Sequence, residues 1–327
     1  MEKNAKNKIA GDLVYSIGAI ALMNIAAQFF VYPRLNNSLG ASGFGDVLYL
    51  LGIIGIFSGS FGLAANNTRL VIRNKYQVTN GDFAFTMAVF SLVGIIGSFL
   101  FVRSYIISVG GYIAFFALLT MNTFRYYSDV QFRLIINYKK YFLYYLLLSF
   151  GYCSGSLILK NWSFVFLLGE TLAVMYVVLK GNILTKQLAV SEFKFKVLKS
   201  STTLSLSYLL FNTILFIDRI ILLNLVDSQA VSQYYVASLL GKTLAIITGP
   251  LNTIILSYLT KDKKVIDKKQ YLKIITIVTL ISAVFFSMCW LATPLFVKIF
   301  YPNLFESARQ LAAAASLAQV LCFSSTI

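Results

Sequence analysis

Histidine is absent from this 327-residue chain. That removes the commonest general base, proton shuttle and metal ligand together. Cysteine is scarce: Cys153, Cys289 and Cys322 lie far apart in apolar stretches. Without paired spacing they indicate neither a disulfide framework nor a metal site, and they read as small apolar packing residues. Charge is also scarce, at 12% of residues, against roughly 25% in soluble domains. Carboxylates are the rarer sign, with 12 Asp+Glu against 28 Lys+Arg. No nucleophile–base pair stands out, and Gly11 to Gly18 and Gly40 to Gly45 do not match a nucleotide loop. An ATP-driven pump would need a nucleotide domain, and no stretch has room for one. These absences argue against an enzyme and against a bound cofactor.

What is present is apolar sequence. Hydrophobic residues make up 58% of the chain, and the mean hydropathy is +0.76. The apolar runs are long enough to cross hydrocarbon as helices, and they are continuous rather than alternating, which excludes strand spans. They predict ten spans near residues 13–33, 47–65, 83–102, 106–122, 141–159, 163–179, 204–224, 234–260, 274–294 and 309–327. The first follows Lys3, Lys6 and Lys8 and runs into Pro33-Arg34. It exceeds a signal-peptide core of about 7–15 residues and reads as a retained span.

Basic residues are sorted along this pattern. Of the 28 Lys+Arg, 21 fall in every second loop, five on the opposite side, and two, Arg219 and Lys242, inside spans. Lys/Arg-rich loops stay cytoplasmic. The pattern therefore predicts a multi-pass plasma-membrane protein with a cytoplasmic N-terminus. The net charge of +16 follows from these loops and from attraction to anionic membrane lipids, and needs no nucleic acid. Tyr and Trp gather at the predicted interfaces, as at Tyr138, Tyr141, Trp162 and Tyr234.

The longest loop, about 180–203, divides the chain. An N-terminal six-helix lobe (1–180), a cytoplasmic linker (181–203) and a C-terminal lobe (204–327) follow. Span seven restarts the orientation of span one, as in a parallel repeat. Leu39-Gly40-Ala41-Ser42-Gly43-Phe44-Gly45 aligns weakly with Leu225 to Ser232, and Arg34 and Arg219 precede the two stretches at similar distances. The expected fold is all-α: a polytopic membrane bundle of two six-helix lobes, the second incomplete after about four helices.

Two stretches carry a resemblance to a known family. One is Pro33-Arg34-Leu35, Leu39-Gly40 and Phe44-Gly45; the other is Asp218-Arg219, Tyr234, Ala237 and Pro250. In these the chain resembles the flippases of bacterial O-antigen and capsule repeat units. Their superfamily also holds multidrug and toxin extruders and the peptidoglycan lipid flippase. The resemblance implies two lobes around a central cavity and alternating access. It implies a polyprenyl-pyrophosphate-linked oligosaccharide as the partner moved from the inner to the outer leaflet, with room for contact with polysaccharide polymerase machinery. An ion-coupled small-molecule antiporter of the multidrug type is the alternative.

Charges inside spans are costly and mark function by default. Glu170, Asp218, Arg219 and Lys242 are the four, and Glu170, Asp218 and Lys242 sit about 8–12 Å below the outer interface at 1.5 Å per residue. That predicts one polar layer, with Lys242 or Arg219 as partner to the two acids. A structural ion pair, outward snorkelling of the two bases, and a substrate or coupling site all remain open. Arg34, at the outer end of span one, would supplement a phosphate site. The carboxylates could instead exchange a proton or sodium ion. Asn24 and Gln28 share a face of span one, and Asn212 is their counterpart in span seven; such amides bind sugar hydroxyls or tie helix to helix. Gly249-Pro250 predicts a kink in span eight, as a hinge or as fixed curvature.

Overall fold

In a computed structural model, residues 2–73, 75–184, 187–243 and 268–324 are described. Among them the chain is helical and has no strand. Lipid permits this solution, because a helix satisfies its backbone polar groups internally. α1 (Glu2–Ile25) passes through a π-helical segment (Ala26–Val31) into α2 (Tyr32–Ile72). Then come α3 (Asn80–Val102), α4 (Val109–Ser128), the short α5 (Val130–Leu134), α6 (Tyr138–Ile158), α7 (Trp162–Gly181) and α8 (Lys194–Leu225). Helical residues 228–243 form α9. α10 (Lys268–Phe300) and α11 (Phe305–Ser324) are joined through a 3-10 turn at Pro302–Leu304. Among the described residues, six helical segments are long and apolar enough to cross a membrane, as a multi-pass membrane protein requires.

Local sequence explains the helix starts. Thr79 and Asp82 form a reciprocal capping box on α3. Ser108, Asn137 and Asn161 each accept a backbone N–H at the starts of α4, α6 and α7. Asn182 ends α7 in the left-handed region.

Two predicted loops are shorter than expected. The stretch 34–46 is helical apart from a break at Gly40, whose φ of 72° favours glycine. The 180–203 stretch is already helical from Lys194. In both cases helix continues past the apolar run, since polar residues can extend a helix beyond hydrocarbon. α4 likewise runs to Ser128, six residues beyond the predicted end of its span. Gly249 and Pro250 lie outside the described residues.

The chain forms two compact units: Met1–Leu35 with Asp46–Val226, and Asn36–Gly45 with Asp227–Ile327. In the first unit α6 and α7 are the most intimate pair. Gly151 and Gly155, spaced as in a small-xxx-small motif, lie on α6 against Gly169 and Val165 of α7. A Cβ on Gly151 would stand 2.4 Å from Gly169 Cα, and one on Gly155 2.9 Å from Val165 O. α1 also packs on α6, α4 on α7, and α3 on α4 and α8.

α2 and α8 meet through glycines and polar ties. Gly52 faces the Arg219 stem and Gly55 the Phe216 ring. Asn212 Nδ2 donates to Ser60 Oγ at 3.0 Å, and Asn67 Nδ2 donates to the Tyr208 hydroxyl at 2.6 Å.

In the second unit Phe44 is fully buried against the rings of Tyr235 and Tyr301. Gly45 presses on the Ser228 backbone so closely that a Cβ would fall 1.7 Å from Ser228 O. The two stretches aligned as a repeat therefore touch each other directly. Gly241 packs on Gln319 of α11, and α10 packs along α11.

Candidate functional site

The most concentrated charge chemistry in the first unit surrounds Glu170. This residue is midway along α7 and has no solvent exposure. Its Oε1 accepts from Asn122 Nδ2 at 2.7 Å, Arg125 Nε at 3.0 Å and the Tyr152 hydroxyl at 2.6 Å. Oε2 lies 2.9 Å from the same Arg125 Nε, but the aligned hydrogen bond is the one to Oε1. Asn122 Oδ1 in turn accepts from Ser58 Oγ at 2.7 Å. The network thus draws one or two residues from each of α2, α4, α6 and α7.

Arg125 is 3% exposed, and its guanidinium lies 4.1 Å from the Tyr126 ring centroid. Burying either charge alone would cost several kcal/mol, about what moving an ion out of water demands after relaxation. Together they cancel, and the amide of Asn122 and the phenol of Tyr152 add hydrogen bonds to the same carboxylate. The arrangement can hold four helices in one packing.

A second polar group follows on the same helix. Asp129, at the end of α4, accepts from Asn66 Nδ2 at 2.5 Å and from the Tyr145 hydroxyl at 2.9 Å. Arg133 donates to Asn66 Oδ1 at 3.0 Å. Arg69 donates to the Tyr127 hydroxyl, to Asn80 Oδ1 at 2.6 Å and to Gln131 Oε1 at 3.3 Å. Arginines assigned to loops by charge sorting are therefore helix-tying groups here, which suits a rigid fork of donors.

Each residue singled out from sequence has its own local surroundings. The partner of Glu170 is Arg125 of α4, which corrects the expected pairing with Lys242 or Arg219. Arg219 is buried on α8, where Nη1 donates to Leu48 O at 2.7 Å and the guanidinium stacks on Phe216. Its burial against α2 is not the outward snorkelling left open from sequence. Asp218 Oδ1 accepts from the Arg219 backbone N–H. Lys242 belongs to the second unit and lies near the Tyr234 and Tyr235 rings at 5.9 and 5.4 Å.

Arg34 donates from Nε to Ser156 O at 2.8 Å, tying the start of α2 to the end of α6. Asn24 and Gln28 do share a face: Gln28 Nε2 reaches Asn24 Oδ1 at 3.4 Å. Gln28 also falls in the π-helical segment, a distortion frequent at functional sites.

Arg125, Asn122, Tyr152 and Ser58 were not singled out from sequence. Arg125 was assigned to a loop, three residues past the predicted span end. One signal was present: Asn122 and Arg125 are three apart and share a helix face.

No protein-family model matches the chain, and no curated protein does. Solved structures do. One is an inward-facing conformation of a multidrug resistance MATE family transporter of the MOP superfamily, with a TM-score of 0.62 and 14% identity. The match covers 96% of this chain and 80% of that one. A MATE structure in the bent conformation has a TM-score of 0.54 and 16% identity, over 96% and 79% of the two chains. The chain therefore has the two-lobed, all-helical fold of MATE structures.

Proposed function

We propose that this protein is a transporter that moves a small organic solute across the membrane by alternating access, driven by a proton or sodium gradient. The fold shared with MATE structures supports the reading. The observation that carries it is the buried Glu170 carboxylate of α7, held by three donors from two other helices, α4 and α6. Any rearrangement of those helices must break charge-assisted bonds, so occupancy of the carboxylate by a proton or cation is linked to helix packing. The N-terminus is cytoplasmic in this reading, and the lobes are the two halves flanking residues 181–203. Cysteines introduced near residue 190 should then label only from the cytoplasmic side; labelling from outside would overturn the topology.

The test is reconstitution in liposomes with a fluorescent organic cation such as ethidium. Dye movement should follow an imposed proton or sodium gradient in the wild type and lose that dependence in Glu170→Gln. Movement indifferent to both gradients would sink the coupling role.

A second reading keeps the lipid-linked oligosaccharide as cargo. It is favoured by the stretch from Pro33 to Gly45, where the Gly40 break and the Gly45 contact with Ser228 give the resembling residues a definite structural task. A leaflet-accessibility assay with a polyprenyl-pyrophosphate oligosaccharide separates it from the first.

A further inference from the structure

Where α2 ends and α8 begins, the first unit has an open, solvent-facing cavity of about 730 Å³. That lies within the roughly 300–1,000 Å³ of small-ligand sites. Its chemistry is one-sided. Lys75 and Tyr76 enter from the turn after α2, and Lys196 and Lys199 from the first turns of α8. Among the described residues, no Asp or Glu lines it. Among the described residues, none of these three lysines has a carboxylate within 4.0 Å.

The lining on α8 is periodic. Lys196, Lys199, Ser200, Thr203 and Ser207 recur at three- and four-residue spacing, so they form one helix face. That face presents ammonium groups at its outer end and hydroxyls further in. Asn67 and Thr68 of α2 face the same space. The bond from Asn67 to Tyr208 ties the two helices beside it. Val71, Ile72 and Leu204 add an apolar wall.

Crowding cations costs energy unless an anion is shared. Lys196 Nζ lies 3.8 Å from the Tyr76 ring centroid. The Tyr76 phenol is held below its ordinary range by the hydrogen bond and charge of Lys196, with a smaller effect from Lys75. The cavity thus stabilises negative charge on the one acidic group it holds.

Ammonium groups and hydroxyls in a concave site suit phosphate oxygens. An apolar wall on a membrane-spanning pair of helices suits the glycerol and acyl root of a lipid. We propose that this cavity binds the phosphate-bearing headgroup of a lipid in the lysine-side leaflet. The site is independent of which cargo the transporter carries. Its competitor is ordinary topological charge, in which every lysine on that side attracts anionic membrane equally.

The test measures binding of dioctanoyl phosphatidic acid to the detergent-purified full chain. Phosphatidylcholine of the same chain length and inorganic pyrophosphate are the comparators. Phosphatidic acid should bind, and the combined variant K75Q/K196Q/K199Q should weaken it by about tenfold or more. The control K139Q/K140Q/K180Q, also on the lysine-rich side, should change it by less than about twofold. Binding of pyrophosphate with the same variant dependence would support the phosphate site and point to a soluble source as well; binding of phosphatidic acid alone assigns the headgroup. Equal weakening by both variants, or by neither, overturns the proposal. Acetylation of the wild-type protein gives a readout that needs no variant to fold. Phosphatidic acid should shield Lys196 and Lys199 more than Lys139 and Lys140, and uniform shielding counts against the site.

Discussion

Around Glu170 the first unit satisfies its charges from within; around Lys196 it leaves them turned outward. The two regions belong to the same unit and use the same kinds of residue. At Glu170 the groups are fully or almost fully buried, and arginine, amide and phenol donors converge on one carboxylate. At Lys196 the ammonium groups are solvent-facing and share a cavity without an acid. Burial decides the difference. A charge in hydrocarbon must be matched by a partner in the chain. A charge at the interface can be matched by water or by whatever anion the membrane supplies. The first arrangement ties helices together; the second leaves cationic groups open to an anion from outside the chain.

The comparison is most sharply tested by breaking the buried pair. Arg125→Met should destabilise the protein by about 3–5 kcal/mol, because it strands the Glu170 charge. Thermal unfolding in detergent would show it, and the double variant R125M/E170L should recover most of the loss. A double variant as unstable as the single would mean that packing, not charge, dominates the site.

Steric closeness comes next. Gly169→Ala places a methyl against the Tyr152 ring and Leu148 O, whose contacts with a Cβ would be 2.3 and 2.8 Å. Overpacking of this kind costs about 1–3 kcal/mol, and it should also disturb the Tyr152 bond to Glu170. Unchanged unfolding would show that α6 and α7 can part freely.

Asn212→Leu removes the α8 bond to Ser60 of α2. Interhelical side-chain bonds in membranes average about 0.6 kcal/mol, so a small fall in unfolding temperature is expected. A loss as large as that of Arg125→Met would move the structural centre of the unit to the α2–α8 seam. The smallest stability effect belongs to the lysine cavity. K75Q/K196Q/K199Q should shift stability by no more than about 0.5 kcal/mol, as surface substitutions do. A larger change would mean that these lysines hold the fold, and the contrast between the regions would fail.

The helical bundle was legible because hydrophobic runs of spanning length leave the chain few choices in lipid. The predicted spans fall on helices where the chain is described, although α4 starts at Val109 and neither α4 nor α11 is among the six segments long and apolar enough to cross a membrane. Loop lengths did not follow as well. Hydropathy marks where hydrocarbon ends, whereas helices end at caps and glycines, as at Asn182 and the Gly40 break.

The candidate site was half legible. Glu170 stood out because a carboxylate inside a span is rare and costly. Arg125 did not, because it sits near the end of its helix and joined the basic residues of the neighbouring loop. Asn122, Tyr152 and Ser58 are ordinary polar residues until four helices bring them to one carboxylate. Arg219 donates to the Leu48 carbonyl, and the Asp218 carboxylate accepts a backbone N–H within its own helix, contacts that no sequence pattern announces.

Sequence alone determined that this is a multi-pass helical membrane protein, and it placed most lysines in alternate loops. Both follow from the solvent: transfer free energies act on each residue along the chain, whatever its distant neighbours. Tertiary structure decided which charges meet. It joined Arg125 to Glu170 across 45 residues, set Arg219 on α2, and gathered Lys75 with Lys196 and Lys199 around one cavity. Such pairings depend on helix rotation and approach, which glycines such as Gly151 and Gly169 permit but do not announce in a one-dimensional pattern.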